Sequence, residues 1–166
     1  DCYDDAYAEA CRICREEGAE FLHPYNDPDV IAGQGTLGLE ILAELSDVDI
    51  VIVPAGGGGL LAGVACAVKQ INPRVKVYGV QAEGADAIAR SYRDKRYTCT
   101  DSVATIADGI AVKAPGDITV ELINKYADGV VTVSDSEISE AILLLMERSK
   151  QIVEPAGATP LAAVLN

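Results

Sequence analysis

The chain has a single histidine and no long apolar run. This residue, His23, lies in the loop-like stretch HPYNDP. A single loop histidine argues against a histidine-based triad and against a histidine-rich metal cluster. We expect His23 to be an ordinary loop histidine. No run of about 18 apolar residues occurs, and the first residues, DCYDDAYAEA, are acidic instead of basic and then apolar. We therefore expect neither a membrane span nor a signal peptide.

Basic residues are also few. Only 13 Lys and Arg residues stand against 26 Asp and Glu residues, which gives a formal net charge of -13 at pH 7. A charge of this sign repels phosphate backbones and anionic membrane surfaces, so neither nucleic acid nor a membrane is an expected partner. The composition, with 49% hydrophobic and 23% charged residues, is typical of a globular protein with a core.

The cysteines are odd in number, and no export signal accompanies them, so we expect reduced thiols in a cytoplasmic protein. They are Cys2, Cys11, Cys14, Cys66 and Cys99. Cys11 and Cys14 form a CxxC pair within a helical pattern, but a zinc site needs a second pair of ligands. We therefore expect no metal site.

Apolar periodicity and turn residues predict alternating helices and strands. Helices are predicted over 4–17, 33–46, 60–72, 85–94, 118–127, the later part of 129–152 and the end of 153–166. Strands are predicted over 20–22, 48–54, 75–81 and the start of 129–152, and loops over 23–29 and 96–117. The continuous apolar run 48–54 is typical of a strand buried on both faces of a parallel sheet. Ser134 or Asp135 is the expected cap of the following helix, with Glu137 in its first turn. The last helix should start near Pro155 or Ala156.

Four consecutive glycines, Gly56–Gly59, join the strand at 48–54 to the helix at 60–72 in the segment VPAGGGGLLAGVA. The strand, this helix and the next strand form a βαβ unit, and open α/β sheets bind ligands where such strands end. Backbone N–H groups of a glycine-rich turn at a helix N-terminus can bind a phosphate without any basic side chain. A turn needed only for close packing of helix and strand is the plain alternative.

Two kinds of nucleotide site can be weighed on spacing alone. Gly57, Gly59 and Ala62 match the relaxed dinucleotide pattern G-x-G-x-x-A, and Glu83 follows about 20 residues later, where a ribose-binding acid belongs. A nicotinamide-binding oxidoreductase domain is therefore one hypothesis. A P-loop is excluded because no GK[ST] follows the glycines.

Four segments occur in an order and at spacings that resemble the fold-type II pyridoxal-phosphate enzymes, above all threonine dehydratase, with serine racemase and serine dehydratase as relatives. They are GQGTLGLE at 33–40, VPAGGGGLLAGVA at 53–65, TIADGIAV at 105–112 and VEPAGA at 153–158. Cysteine synthases of this fold usually carry GTGGT instead of GGGGL. The resemblance implies an α/β fold with an open, mostly parallel three-layer αβα sheet, like that of the tryptophan synthase β subunit, here incomplete. It also implies a small-domain end at 1–23 and a partial large domain at 24–166.

The resemblance implies a reaction and a set of site residues. The reaction is α,β-elimination of L-threonine, or serine, to a 2-oxo acid and ammonia, by a homo-oligomer that depends on pyridoxal 5'-phosphate. Isoleucine biosynthesis is the implied pathway. The cofactor phosphate would be bound by the backbone N–H groups of Gly56, Gly57, Gly58, Gly59 and Leu60. Gly109 would lie near the cofactor ring and the substrate, and Glu154 near the ring face. Gly109 as a turn residue and Glu154 as a helix-start residue are the plain alternatives.

Other family features do not map onto this chain. The Schiff-base lysine segment, of the type SxKxRGA, and the segment SSGNH belong upstream of residue 1, and the SGGN-type turn belongs after Asn166. The lysines present lie in other contexts: Lys69, Lys76, Lys95, Lys113, Lys125 and Lys150. A cation site known in some relatives would fall on Gln81, Ala85 and Ala87, which lack two of the required oxygen donors. We therefore expect a central fragment that is inactive alone. A non-catalytic remnant module is the further alternative.

Overall fold

The first helix, α1, spans Tyr3–Glu17 and ends where Gly18 adopts a left-handed conformation with φ of +68°. The computed structural model describes the backbone of residues 3–166 and the side chains of residues 5–166. Cys2, which we expected to be a reduced thiol, lies outside the described residues. The division into domains at residue 23 stays a prediction.

The rest of the described chain contains six further α-helices and three strands. The helices that follow α1 are α2 (Pro28–Glu44), α3 (Gly59–Ile71), α4 (Ala87–Asp94), α5 (Asp117–Tyr126), α6 (Asp135–Leu144) and α7 (Pro155–Leu165). The strands are β1 (Ile50–Pro54), β2 (Lys76–Ala82) and β3 (Gly129–Val133). Ser134 caps α6 through a capping box with Glu137, which confirms the predicted cap.

The three strands form one parallel sheet in the order β1-β2-β3. Ile50 pairs with Lys76 at the start of the β1–β2 ladder, and Tyr78 pairs with Gly129 at the start of the β2–β3 ladder. Because the strands are parallel, their carboxyl ends lie at the same edge of the sheet. The glycine turn therefore follows β1 at the edge where α/β proteins bind ligands.

Alternate residues of each strand face two separate apolar cores, so the sheet is the middle of three layers. One core holds Val51, Val53 and Val77 together with side chains of α2, α3, α4 and α5. The other holds Val80 and Val133 with side chains of α6 and α7. The parallel sheet between two helical layers confirms the expected α/β fold class.

One carboxylate at the amino edge of the sheet joins α3 and β2 to the segment before β3. Asp128, just before β3, accepts hydrogen bonds from the ammonium groups of Lys69 (2.6 Å) and Lys76 (2.9 Å) and from the N–H of Val77 (2.9 Å). Burial opposes the ionisation of Asp128, but these three donors outweigh it and lower its pKa to about 2.

Three local predictions were wrong. Residues 20–22 form no strand, because no neighbouring strand in the described chain pairs with them, and Leu22 is largely exposed. Helix α2 begins at Pro28, inside the expected loop, because Asp27 accepts hydrogen bonds from the N–H groups of Asp29 and Val30. Finally, β1 is not buried on both faces over its whole length, since Ile50 at its start is 54% exposed, although Ile52 on the same face packs against the second core.

None of the helices in the described part of the chain combines the length and the apolar character that crossing a membrane requires.

Candidate functional site

A cleft of about 430 Å³ lies at the carboxyl edge of the sheet. Three segments that are distant in sequence meet there: the glycine turn after β1, the turn at Asp108–Ile110 and the start of α7. The cleft brings together all of the predicted site residues, namely Gly56, Gly57, Gly58, Gly59, Leu60, Gly109 and Glu154. Their roles in binding a cofactor stay a prediction.

Packing and backbone conformation both require glycine in the turn. Gly58, the N-cap of α3, has φ of +96°, which L side chains rarely adopt. A Cβ on Gly57 would overlap the ring of Tyr25. These two glycines are therefore needed for packing, but against the loop of Tyr25 and side chains of α4 and α5 instead of between a helix and a strand. This packing does not exclude a ligand on the open side of the turn.

The backbone N–H groups from Gly56 to Leu60 are free to bind an anion. In the described part of the chain, no carbonyl or side chain accepts a hydrogen bond from them. Gly59 and Leu60 begin α3, and the first N–H groups of a helix have no acceptor within it. The positive end of the helix dipole adds a favourable field at the same point.

The charged side chains that line the cleft are acidic, so they cannot bind an anion in place of the backbone. The carboxylates that line it are Asp108 and Glu154, and no lysine or arginine of the described residues lines it. An anion in the cleft would therefore be bound by backbone N–H groups. This donor set fits a phosphate group at a helix N-terminus.

Glu154 and Gly109 lie directly opposite each other. Glu154 is the N-cap residue of α7, but its side chain makes no capping hydrogen bond, and it is exposed. A Cβ on Gly109 would lie 3.3 Å from a carboxylate oxygen of Glu154 and 3.3 Å from the Cβ of Ala156. Glycine at 109 thus permits the close approach of its turn to α7, and the carboxylate of Glu154 stays available to the cleft.

Tyr25 is a cleft residue that the sequence did not reveal. Its ring lies against Gly57, its Cβ and backbone lie against Gly59, and its hydroxyl donates a hydrogen bond to the carbonyl of Ala114 at 3.0 Å. Pro24, which precedes Tyr25, and Asp108, which precedes Gly109, also line the cleft and were not predicted from the sequence. The proline-rich composition of HPYNDP predicted a loop, but nothing local indicates that this loop contacts a turn more than 30 residues further along.

His23 has a structural role in the same loop. Its Nδ1 accepts hydrogen bonds from the backbone N–H groups of Tyr25 (3.3 Å) and Asn26 (2.9 Å), so it is unprotonated at this nitrogen. Burial lowers the pKa of His23, although Asp27 and Asp117 oppose the shift. The expectation of a loop histidine without a catalytic role is consistent with these contacts.

The dinucleotide alternative shares Gly57 and Gly59 with the cleft, but the side-chain ligands of the alternative sites do not line it. Glu83, the ribose-binding acid of the dinucleotide hypothesis, lies in a short turn after β2, outside the cleft lining. Gln81, at the position of a possible cation ligand, is fully buried and bonded to backbone groups. No cluster of metal-ligating side chains occurs among the described residues. The lysines at 69, 76, 95, 113, 125 and 150 all lie outside the cleft lining.

The chain is similar to known proteins over its whole length. The family model described as pyridoxal-phosphate dependent enzyme matches residues 1–166. The L-threonine ammonia-lyase of Thermotoga maritima is 54% identical over 164 residues, which are 99% of this chain and 41% of that protein. The L-threonine dehydratase catabolic TdcB of Escherichia coli K12 is 46% identical over 166 residues, which are 100% of this chain and 50% of that protein. The chain thus spans half or less of the length of these curated relatives.

Solved structures share the fold at similar levels of identity. A threonine deaminase from Solanum lycopersicum, the processed form of isoform 2, has a TM-score of 0.92 and 38% identity, with 96% of this chain and 47% of that chain covered. The maize serine racemase has a TM-score of 0.90 and 40% identity, with 93% of this chain and 47% of that chain covered.

Proposed function

The chain belongs to the family of pyridoxal-phosphate-dependent enzymes, and on that basis we propose that it forms the phosphate-binding part of an amino-acid ammonia-lyase. The proposed reaction is the conversion of L-threonine to 2-oxobutanoate and ammonia, with L-serine as the related substrate. The names of the relatives from Thermotoga maritima and Escherichia coli support threonine as the substrate.

The observation that carries the proposal is the meeting of three distant segments at one cleft. The turn Gly56–Leu60 supplies unpaired N–H donors, and the turn around Gly109 and the start of α7 at Glu154 supply the facing walls. A dinucleotide-binding domain would use Glu83 beside the ligand, and Glu83 is not part of this cleft. The geometry therefore favours a compact phosphate-bearing ligand over a dinucleotide.

Each segment has a distinct task in the proposed function. The N–H groups of Gly56–Leu60 bind the phosphate and so set the position of the ring. Gly109 has no side chain, so its turn can lie close to the start of α7, and the carboxylate of Glu154 beside it would face the bound cofactor. When bound, pyridoxal phosphate supplies the electron sink that allows the α-proton and the β-hydroxyl of the amino acid to be lost.

We expect this chain alone to release no ammonia from threonine. No lysine lines the cleft in the described part of the chain, so the chain offers the cofactor no covalent attachment there. The chain would therefore contribute binding and orientation. We also propose a cytoplasmic homo-oligomer for the whole enzyme. The Escherichia coli relative is named as catabolic, so a role in isoleucine biosynthesis is one of two metabolic proposals.

Equilibrium dialysis with three ligands tests the proposal. Pyridoxine 5'-phosphate and pyridoxine carry an alcohol in place of the aldehyde and form no imine with surface lysines, so their difference in affinity measures the contribution of the phosphate. We expect pyridoxine 5'-phosphate to bind at least about tenfold more tightly than pyridoxine, which corresponds to about 1.4 kcal/mol. Saturable binding of NADH, with no response to pyridoxine 5'-phosphate, would instead support a dinucleotide-binding domain.

Two matched glycine variants locate the binding. Gly157 lines the cleft in α7, and an added Cβ would meet no atom closer than 3.9 Å, so Gly157→Leu places an apolar side chain at the cleft with no clash at its Cβ. Gly33 lies in α2, outside the cleft, and has nothing within 4 Å of an added Cβ. We expect Gly157→Leu to weaken pyridoxine 5'-phosphate binding and Gly33→Leu to leave it unchanged. Equal affinities in the two variants would place the ligand elsewhere.

A further inference from the structure

The carbonyl groups of the glycine turn are all paired on the side away from the cleft. The carbonyls of Ala55 and Gly56 accept hydrogen bonds from Nε2 of Gln81, at 2.9 and 3.4 Å. The carbonyl of Gly57 accepts from the hydroxyl of Thr119 at 2.7 Å and from the N–H of Gly116 at 3.1 Å. The carbonyl of Gly58 accepts from a helical N–H in the first turn of α3. Paired carbonyls and unpaired N–H groups therefore lie on opposite sides of the turn.

The planarity of the peptide bond links these two sides. In a trans peptide, the C=O of one residue and the N–H of the next point in opposite directions within one plane. A bond that fixes the carbonyl of Ala55 thus also orients the N–H of Gly56. In the same way, the carbonyls of Gly56 and Gly57 orient the N–H groups of Gly57 and Gly58. Glycine restricts its own φ and ψ very little, so this orientation has to come from outside the turn.

Gln81 is held so that only its amide nitrogen can face the turn. The side chain is fully buried at the end of β2, and its Oε1 accepts a hydrogen bond from the N–H of Ala89 at 2.8 Å. A flipped amide would place the oxygen against two carbonyls and the nitrogen against an N–H donor, which leaves every bond unmade. Gln81 therefore connects α4 to the first two carbonyls of the turn.

Thr119 performs the same task from α5. Its side chain is fully buried, and its hydroxyl also lies 2.9 Å from the carbonyl of Gly116, three residues earlier in the chain. The hydroxyl lies so close behind Gly58 that a Cβ there would be 2.8 Å away. Neither Thr119 nor Gln81 lines the cleft, so each can affect a ligand only through the backbone of the turn.

We propose that Gln81 and Thr119 are positioning residues that orient the N–H groups of Gly56, Gly57 and Gly58 toward a bound phosphate. This inference rests on the proposed function, since it assumes that the turn binds the phosphate of the cofactor. It assigns a role to two buried polar side chains that do not contact the ligand. One of them, Gln81, stands at the position where the family resemblance implies a cation ligand in some relatives.

The test uses an isosteric substitution with a close internal control. Thr119→Val removes the hydroxyl and keeps the shape, whereas Thr119→Ser keeps the hydroxyl. Thr159 in α7 is equally buried, and its hydroxyl donates to the carbonyl of Ala156, three residues earlier, at 2.8 Å, but it does not contact the turn. Thr159→Val therefore reproduces the cost of burying a valine in place of a threonine. Gln81→Met repeats the experiment at the other end of the turn if Thr119→Val does not fold.

The readout is the ratio of affinities for pyridoxine 5'-phosphate and pyridoxine, measured by NMR titration of the ¹⁵N-labelled chain. Both ligands carry an alcohol in place of the aldehyde, so neither reacts with lysines, and the ratio isolates the phosphate contribution. We expect Thr119→Val and Gln81→Met to reduce the ratio about threefold to tenfold, the range of one lost hydrogen bond. Thr119→Ser and Thr159→Val should retain the ratio of the unmodified chain.

The titrations distinguish failure of the proposed function from failure of the positioning role. If the unmodified chain binds the two ligands equally, the turn does not bind phosphate, and the proposed function fails. If the unmodified chain prefers the phosphate ligand but the ratios of Thr119→Val and Gln81→Met equal that of Thr159→Val, the turn binds phosphate without help from these side chains. That second result overturns the positioning role alone.

Discussion

An alanine at Gly57 should destabilise the protein through a single contact. The added Cβ would overlap the ring of Tyr25, whereas the backbone of Gly57 does not lie in the left-handed region and would otherwise accept alanine. Forcing an extra methyl into a packed site costs about 1–3 kcal/mol. Displacement of the ring would also break the bond from its hydroxyl to Ala114, at a cost of about 0.5–1.5 kcal/mol. We expect a total of about 3 kcal/mol.

Urea unfolding followed by circular dichroism measures this loss. With a slope of about 2 kcal/mol per molar urea, the midpoint should fall by about 1.5 M. Gly157→Ala is the matched control, because it lies in the same cleft and its Cβ would meet nothing closer than 3.9 Å. In a Tyr25→Ala background, Gly57→Ala should cost less than about 1 kcal/mol. An undiminished cost in that background, or a loss no larger than that of Gly157→Ala, would refute the contact with the ring.

Three further predictions concern groups outside the glycine turn. Asp128→Asn should lower the free energy of unfolding by about 2 kcal/mol at pH 6. Because the folded-state pKa of Asp128 is about 2, the difference in unfolding free energy between variant and unmodified chain should shrink as the pH falls from about 4 to about 2. Urea titrations across this range would show a constant difference if the carboxylate were unpaired. The pKa of His23, followed by the NMR resonance of this single histidine, should lie below 6.5, and stability should fall as the pH drops from 6.5 toward that lowered pKa. An NMR midpoint at or above 6.5 would contradict the hydrogen bonds that His23 Nδ1 accepts. Ser134→Ala should cost about 0.5–2 kcal/mol in urea unfolding, and equal stability would show that the capping box with Glu137 contributes nothing.

Local sequence signals were sufficient for the order of elements at the centre of the fold. The apolar run before the glycines, the glycines themselves and the helical pattern after them predict β1, the turn and α3, and the structure places them within two residues of the predicted bounds. These features depend on short-range periodicity and turn chemistry, which a single sequence shows directly. The start of α2 could also have been predicted, because Asp27 followed by Pro28 is a helix-start pattern.

Features that depend on distant contacts could not be found in this way. A strand at 20–22 needs a neighbouring strand, and the sequence alone does not show which segments lie beside it. The contact of Tyr25 with Gly57 joins residues that only the folded chain brings together. The role of Gln81 is of the same kind, since a glutamine at the end of a strand looks alike whether it binds a ligand or a backbone turn. The convergence of Gly109 and Glu154 on the glycines was expected only from the family resemblance.

The central claim is that the N–H groups from Gly56 to Leu60 bind the phosphate of the cofactor. The most direct measurement is a ¹H–¹⁵N NMR titration of the chain with pyridoxine 5'-phosphate, in which every assigned amide is followed. We predict that the largest shifts occur at the amides of Gly56, Gly57, Gly58, Gly59 and Leu60, and that pyridoxine at the same concentration leaves these amides nearly unchanged. Shifts confined to amides outside the glycine turn, or equal shifts with the two ligands, would contradict the claim.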